Sequence, residues 1–227
     1  MNAGAWPQRL TLGSRAIEVR TARVGAAGAG GLSLAEGALE SRGKTDKRRA
    51  EFRAGRIAAR AAISAVSGPF AFDVLASPEG AVDAGRPVVT PARDLAISIS
   101  HASGLAVAVA AFGAPLGVDL EALALSPEPS FADDAFAEGE LGRWAFAPAP
   151  LPFAWAAKEA MLKTWGVGLR APLGLVSLAP RVVRTEGDAF FLEIEVQGPA
   201  APGDQRRFEG WAGVIEAWVM VVLQHAR

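Results

Sequence analysis

Two long helical periods, one in each half of the chain and each followed by apolar strands, constrain the fold more than any other feature of the sequence. The first runs from Asp46 to Val66. Phe52, Ile57, Ala58, Ala61, Ala62 and Val66 give it apolar flanks, and Ser67-Gly68-Pro69 ends it. The second, Phe153-Ala-Trp155-Ala-Ala-Lys158-Glu159-Ala-Met-Leu-Lys163, contains no Gly or Pro and is rich in helix formers. It follows a spacer with Pro148, Pro150 and Pro152, so it is predicted to start near Phe153 and to stop in Trp165-Gly166-Val-Gly168-Leu169. Between them, Leu95 to His101 alternates as a strand, Ala102-Ser-Gly104 turns the chain, and Leu105 to Phe112 returns as a buried strand. Strands are expected again near 174–184 and 189–197, and as a hairpin from Phe208 to Gln224 turning at Glu216. Leu10, Leu12, Ile17 and Val19 predict a strand or two before residue 24. Residues 25–31 are a Gly-rich loop, 126–130 a Pro-rich linker and 133–144 a helix. The two halves echo each other in element order, without an identity repeat.

The composition bounds the function classes. With 227 residues, half of them hydrophobic, the chain makes one large domain or two small ones. No apolar run reaches membrane-spanning length, and Pro7, Arg9, Arg15 and Glu18 do not read as a secretory signal. The expectation is a soluble, cytoplasmic protein. The absence of cysteine excludes thiol chemistry, and two histidines argue against a His-rich zinc site. A net charge of −1 means that any site for a polyanion is local, so no nucleic-acid or membrane partner is expected.

Four local patterns carry chemistry. Trp155, Glu159 and Lys163 lie four apart on one helix face. A lone Glu-to-Lys pair at that spacing is ordinarily a solvated pair, yet two of only four lysines, beside nineteen arginines, sit in this segment. Arg49, Arg53, Arg56 and Arg60 form a stripe on the first helix, with Lys47 and Arg48 beside it. A solvated basic face is the plain account. The sequence offers no acid within the stripe, Glu51 being on the other side, and four like charges in line are easier to understand beside a phosphate. In Leu116-Gly-Val118-Asp119-Leu120-Glu121, Asp119 and Glu121 share one strand face and repel unless a cation separates them. Hard oxygen ligands of this kind suit Mg²⁺, while a solvent-facing edge is the alternative. Ser98, Ser100 and His101 lie at the end of a strand, where a lone His is usually an ordinary hydrogen-bonded group.

In chain order, Lys47-Arg-Arg-Ala-Glu-Phe52, Gly55-Arg56-x-x-x-Arg60, Gly85-Arg86-Pro87, Ser98-x-Ser100-His101, Asp119-Leu-Glu121 and Trp155-Ala-Ala-Lys158-Glu159-Ala-Met-Leu-Lys163 resemble the motifs of the 4′-phosphopantetheinyl transferases. The resemblance runs from about residue 45 to 170, and the length suits the larger, monomeric surfactin-type branch. It implies an α+β fold of two similar halves related by a pseudo-twofold, residues 1–113 and 114–227. The N-terminal half would hold coenzyme A phosphates, and the C-terminal half the metal and catalytic groups. It implies that Asp119, Glu121 and Glu159 bind Mg²⁺ (or Mn²⁺) and that Glu159 and Lys163 are catalytic. It further implies that Arg48, Arg56, Arg86, Ser100, His101, Lys158 and Lys163 contact coenzyme A. Arg49 and Arg53 are candidate substitutes for the basic helix positions, and Glu140 matches an acidic position near the metal. Leu120 stands where the family strand usually has Ile. The implied reaction moves 4′-phosphopantetheine from coenzyme A to a serine of an apo carrier protein, releasing 3′,5′-ADP. A non-catalytic coenzyme A binder of the same fold and a metal-dependent phosphoester hydrolase are the competing readings.

Overall fold

The computed structural model describes residues 6–25, 31–78, 85–91, 94–128, 130–167, 173–199 and 205–226. The expected Gly168-Leu169 ending and most of the 25–31 loop lie outside these residues. The first long helix, α2 (Asp46–Ser67), starts where the Thr45 side chain accepts from the Arg48 N–H, and stops at Gly68. A short helix that the sequence reading passes over, α1 (Leu34–Glu40), precedes it. Its signal was present as Ser33-Leu-Ala-Glu36: the Ser33 hydroxyl accepts from the Glu36 N–H, and the Glu36 carboxylate accepts from the Ser33 N–H.

Across α2 lies an antiparallel sheet of β1 (Arg9–Leu12), β2 (Arg15–Arg23), β6 (Leu105–Phe112) and β5 (Leu95–Ala102), in that order. The β5–β6 turn places Ser103 and Gly104 at positive φ, which matches the twist of the strands it joins. A small hairpin, β3 (Asp73–Ala76) with β4 (Pro87–Thr90), closes one end of this half. The second sheet has the order β7 (Leu116–Ala122), β11 (Trp218–His225), β10 (Arg207–Ile215), β9 (Ala189–Gln197) and β8 (Ser177–Glu186). The second long helix, α4 (Pro150–Trp165), crosses it and ends at Gly166, which is left-handed at φ 76°.

The architecture is α+β in four layers: α2, sheet, sheet, α4. Ala58, Ala62 and Ile63 of α2 pack on Ile97, Ala108 and Ala110. Leu105, Val107 and Val109 meet Val118, Leu120 and Val222 between the two sheets. Phe153, Ala157 and Met161 of α4 pack on the outer face of the second sheet. The two halves are alike in build, each a long helix laid across an antiparallel sheet.

Two expected elements differ. The second helix includes Pro150 and Pro152 instead of starting after them, because the first-turn N–H groups of a helix have no intrahelical acceptor and proline loses nothing there. Residues 133–144 are not one helix. They form α3 (Phe131–Ala135), a turn with Gly139 at φ 71°, and a 3₁₀ turn at Leu141–Trp144.

Candidate active site

Both β5 and β7 are edge strands, and the site lies where these two edges meet. An edge strand leaves backbone groups unpaired. Here the Val118 N–H donates to Ser98 Oγ at 3.0 Å, and the Val118 carbonyl accepts from Lys163 Nζ at 3.1 Å. On β7, Val118 and Leu120 enter the core between the sheets, so Asp119 and Glu121 turn to the α4 side. Asp119 is 1% exposed, not a solvent-facing edge residue. Gly117 lets α4 come close: a Cβ there would stand 1.9 Å from the Ala160 carbonyl oxygen and 2.7 Å from Thr164 Oγ1. That close approach brings Glu159 and Lys163 onto Asp119.

Asp119 Oδ1 accepts from Lys163 Nζ at 2.5 Å and from Ser100 Oγ at 2.7 Å. Lys163 Nζ is also 3.7 Å from Glu159 Oε2. Burial first, and the Asp119 charge second, push Glu159 up to about 8 and Glu121 up to about 7, with Lys163 opposing in both. The Trp155 indole N–H favours the charged form of Glu121, while its ring meets Phe131 edge-on at 4.7 Å. Trp155 therefore belongs to the cluster through its N–H, a role the helical spacing did not specify.

The chemistry of this donor set fits a divalent cation. Asp119 Oδ2 is buried without a hydrogen-bond partner, and burial together with the Asp119 charge pushes Glu121 and Glu159 toward their protonated forms, so the cluster has room for more positive charge than Lys163 supplies. Among the described residues, no three His, Asp or Glu side chains converge closely enough to form a ready-made metal cage. The Lys163 ammonium stands on Asp119 and near Glu159.

A crevice runs from the cluster toward α2. A cavity of about 270 Å³ is lined by Arg86, Ser98 and Lys163, and one of about 710 Å³ by Lys44, Arg48, Glu51, Arg56 and His101. The two share Gly85, Pro87 and Ile99. Arg56 is 7% exposed, lies over the Phe52 ring at 4.3 Å and keeps a buried Nε without a partner. Burial pulls it down to about 10. His101 is held below its ordinary value by burial, against the pull of Glu51, whose carboxylate is 4.0 Å from Nδ1. Lys44 joins this wall unforeseen; its signal was its place just before the Thr45 cap.

The stripe on α2 separates in three dimensions. Arg49 and Arg53 line a different cavity and pair with Asp46 and Glu40, while Arg60 pairs with Glu36 at 2.7 Å. The expectation that no acid balances the stripe is corrected, because α1 supplies Glu36 and Glu40 from outside the helix. Lys158 is corrected too. It is 0% exposed, and its ammonium faces Ala135, Leu173 and Val176 carbonyls at 2.6–3.0 Å and Glu140 at 2.9 Å. Three N–H donors facing four acceptors leave none for a phosphate. Glu140, likewise, accepts from the Ala137 and Leu178 N–H groups and lies in that buried pair, not beside Asp119.

The model of the 4′-phosphopantetheinyl transferase N-terminal domain matches residues 38–111, and that of the 4′-phosphopantetheinyl transferase superfamily matches residues 115–206. A search of curated proteins gave no match. Among the described residues, no helix is long and apolar enough to cross a membrane. The two family matches follow each other along well over half of the chain and take in both walls of the crevice and the carboxylate cluster. On that ground the chain belongs to the 4′-phosphopantetheinyl transferase superfamily.

Proposed function

We propose that this protein transfers the 4′-phosphopantetheine group of coenzyme A to a serine hydroxyl of an apo acyl, peptidyl or polyketide carrier protein, releasing 3′,5′-ADP. The observation that carries the reading is the crevice that joins a basic wall to an acidic cluster: Arg48, Arg56, His101 and Arg86 lead to Lys163, Asp119, Glu121 and Glu159. Coenzyme A has a phosphate at each end of such a path, a 3′-phosphate on the ribose and a pyrophosphate beside pantetheine. The N-terminal half, residues 1–113, holds the nucleotide phosphates, and the C-terminal half, residues 114–227, carries the chemistry. Both come from one chain, which acts as a monomer in the cytoplasm.

Arg48, Arg56 and His101 bind the 3′-phosphate, with Arg56 already desolvated and stacked. Arg86 and Lys163, which both line the smaller cavity, bind the pyrophosphate. Asp119, Glu121 and Glu159 would hold Mg²⁺ or Mn²⁺, which when bound would supply charge neutralisation to the pyrophosphate. Lys163 adds positive charge on the leaving-group side. The carrier serine Oγ forms the new bond to the β-phosphorus as the bond from that phosphorus to the 3′,5′-ADP oxygen breaks, and the serine proton passes to the Glu159 carboxylate.

The test is the intact mass of a purified apo carrier protein after incubation with this protein, coenzyme A and Mg²⁺, beside an EDTA control. A gain of one phosphopantetheine, lost with EDTA, is expected. No gain on carriers of every pathway type, with coenzyme A still bound, leaves a non-catalytic binder. Cleavage of coenzyme A without any carrier makes the protein a hydrolase.

A further inference from the structure

We infer that Ser100 is a positioning residue for Asp119: its hydroxyl anchors one carboxylate oxygen and thereby presents the other to the cation. The inference rests on the proposed transferase reading in one respect, that a divalent cation binds at Asp119. It departs from the contact to coenzyme A that the family resemblance implies for this serine.

The two oxygens of Asp119 have different surroundings. Oδ1 accepts from Ser100 Oγ at 2.7 Å and from Lys163 Nζ at 2.5 Å, whereas Oδ2 is buried and has no hydrogen-bond partner. A carboxylate torsion is broad and nearly two-fold, so side-chain geometry alone does not decide which oxygen faces which way. A fixed donor on one oxygen removes that degeneracy. Ser100 supplies a fixed donor: it is 7% exposed, its backbone is held in β5 opposite Val107 of β6, and its single hydroxyl proton is committed to Asp119. Lys163 cannot do this alone. Its ammonium also meets the Val118 carbonyl and Glu159, and it sits on a long flexible stem.

Ser100 is also absent from the walls of both cavities of the crevice, although its neighbour Ile99 lines both and His101 lines the larger. It faces the other way, toward β7. Two residues earlier, Ser98 Oγ accepts from the Val118 N–H. Two hydroxyls of β5 thus grip consecutive residues of β7, and they reach across from the other half of the molecule. Gly117, pressed on α4, fixes β7 from the opposite side. Partners of this kind behind a metal-binding carboxylate change metal affinity by about 10- to 100-fold.

The experiment is Mn²⁺ binding followed by electron paramagnetic resonance, on the full chain with coenzyme A and no carrier protein, so that no turnover occurs. Ser100→Ala is expected to raise the Mn²⁺ Kd by about ten-fold, and Ser100→Thr, which keeps the hydroxyl, to restore it. Coenzyme A affinity measured in EDTA is expected to stay at the wild-type value in both. Ser100→Cys, of similar volume but a weak donor, is expected to reproduce the loss and covers the case in which alanine disturbs the fold. Wild-type Mn²⁺ affinity in both Ser100→Ala and Ser100→Cys overturns the inference. Coenzyme A affinity lost in EDTA with Mn²⁺ binding intact also overturns it and makes Ser100 a ligand contact. If wild-type protein fails to bind Mn²⁺, or binds it equally well as Glu121→Gln, the proposed metal site falls and takes this inference with it.

Discussion

Replacing Lys158 by methionine removes an ammonium from a fully buried place, while leaving a side chain of similar length to fill the space. In the wild type that ammonium meets Glu140 at 2.9 Å and the carbonyls of Ala135, Leu173 and Val176. Burial drives the lysine pKa down, and Glu140 drives it back up. In Lys158→Met the Glu140 carboxylate keeps two backbone N–H donors but loses its counter-ion in a fully buried setting. Removing one member of a buried pair costs about 3–5 kcal/mol. For a chain of this size that corresponds to a Tm lower by about 6–20 °C. The measurement is urea and thermal unfolding, with coenzyme A affinity determined below the transition. Methionine at 158 combined with Glu140→Leu, which removes the orphaned charge as well, is expected to recover much of the loss. A Lys158→Met protein of normal stability that binds coenzyme A about ten-fold more weakly would refute the reasoning, because the lysine would then have to reach a phosphate.

Gly117→Ala forces a Cβ to within 1.9 Å of the Ala160 carbonyl oxygen, so α4 must retreat from β7 and take Glu159 and Lys163 with it. Overpacking predicts a loss of about 1–3 kcal/mol and a fall in transfer rate of up to about 100-fold, and an unchanged rate would show that the close approach is dispensable. Glu159→Gln is expected to abolish transfer with the fold intact, since the amide keeps the shape of the side chain and cannot accept the serine proton. Near-normal turnover by the intact-mass assay would rule out its role as proton acceptor. In EDTA, stability is expected to fall as pH rises from about 4.5 to about 8. Glu159 and Glu121 hold protons in the folded state up to about 8 and about 7, while the unfolded chain releases them near 4.5. Thermal unfolding that grows more stable over that range contradicts the crowded-carboxylate picture, and Mg²⁺ is expected to stabilise more at the alkaline end because it displaces those protons.

The long helices, the β5–β6 and β10–β11 hairpins and the pairing of Asp119 with Glu121 on one strand face were legible in the sequence, because they follow from local periodicity and chain-breaking residues. Helix α1 was legible too, as Ser33-Leu-Ala-Glu36, but a seven-residue helix offers little periodicity to draw attention to it. What α2 does with its arginines was not. Their helical spacing places Arg49, Arg53, Arg56 and Arg60 in one stripe, yet the acids that neutralise three of them come from α1 and from Asp46, and only Arg56 turns into the crevice. The same holds for the second helix. Lys158 and Lys163 are five residues apart in one motif, but five residues at 100° each put them on different faces. One face of α4 packs toward Glu140 and the other meets β7. By itself, the sequence determined which groups the protein carries and on which local face each stands. Tertiary structure alone decided which of those faces meet a ligand crevice and which meet the core, because burial and charge pairing depend on segments far apart in the chain, as Ser100 and Asp119, or Glu140 and Lys158, show.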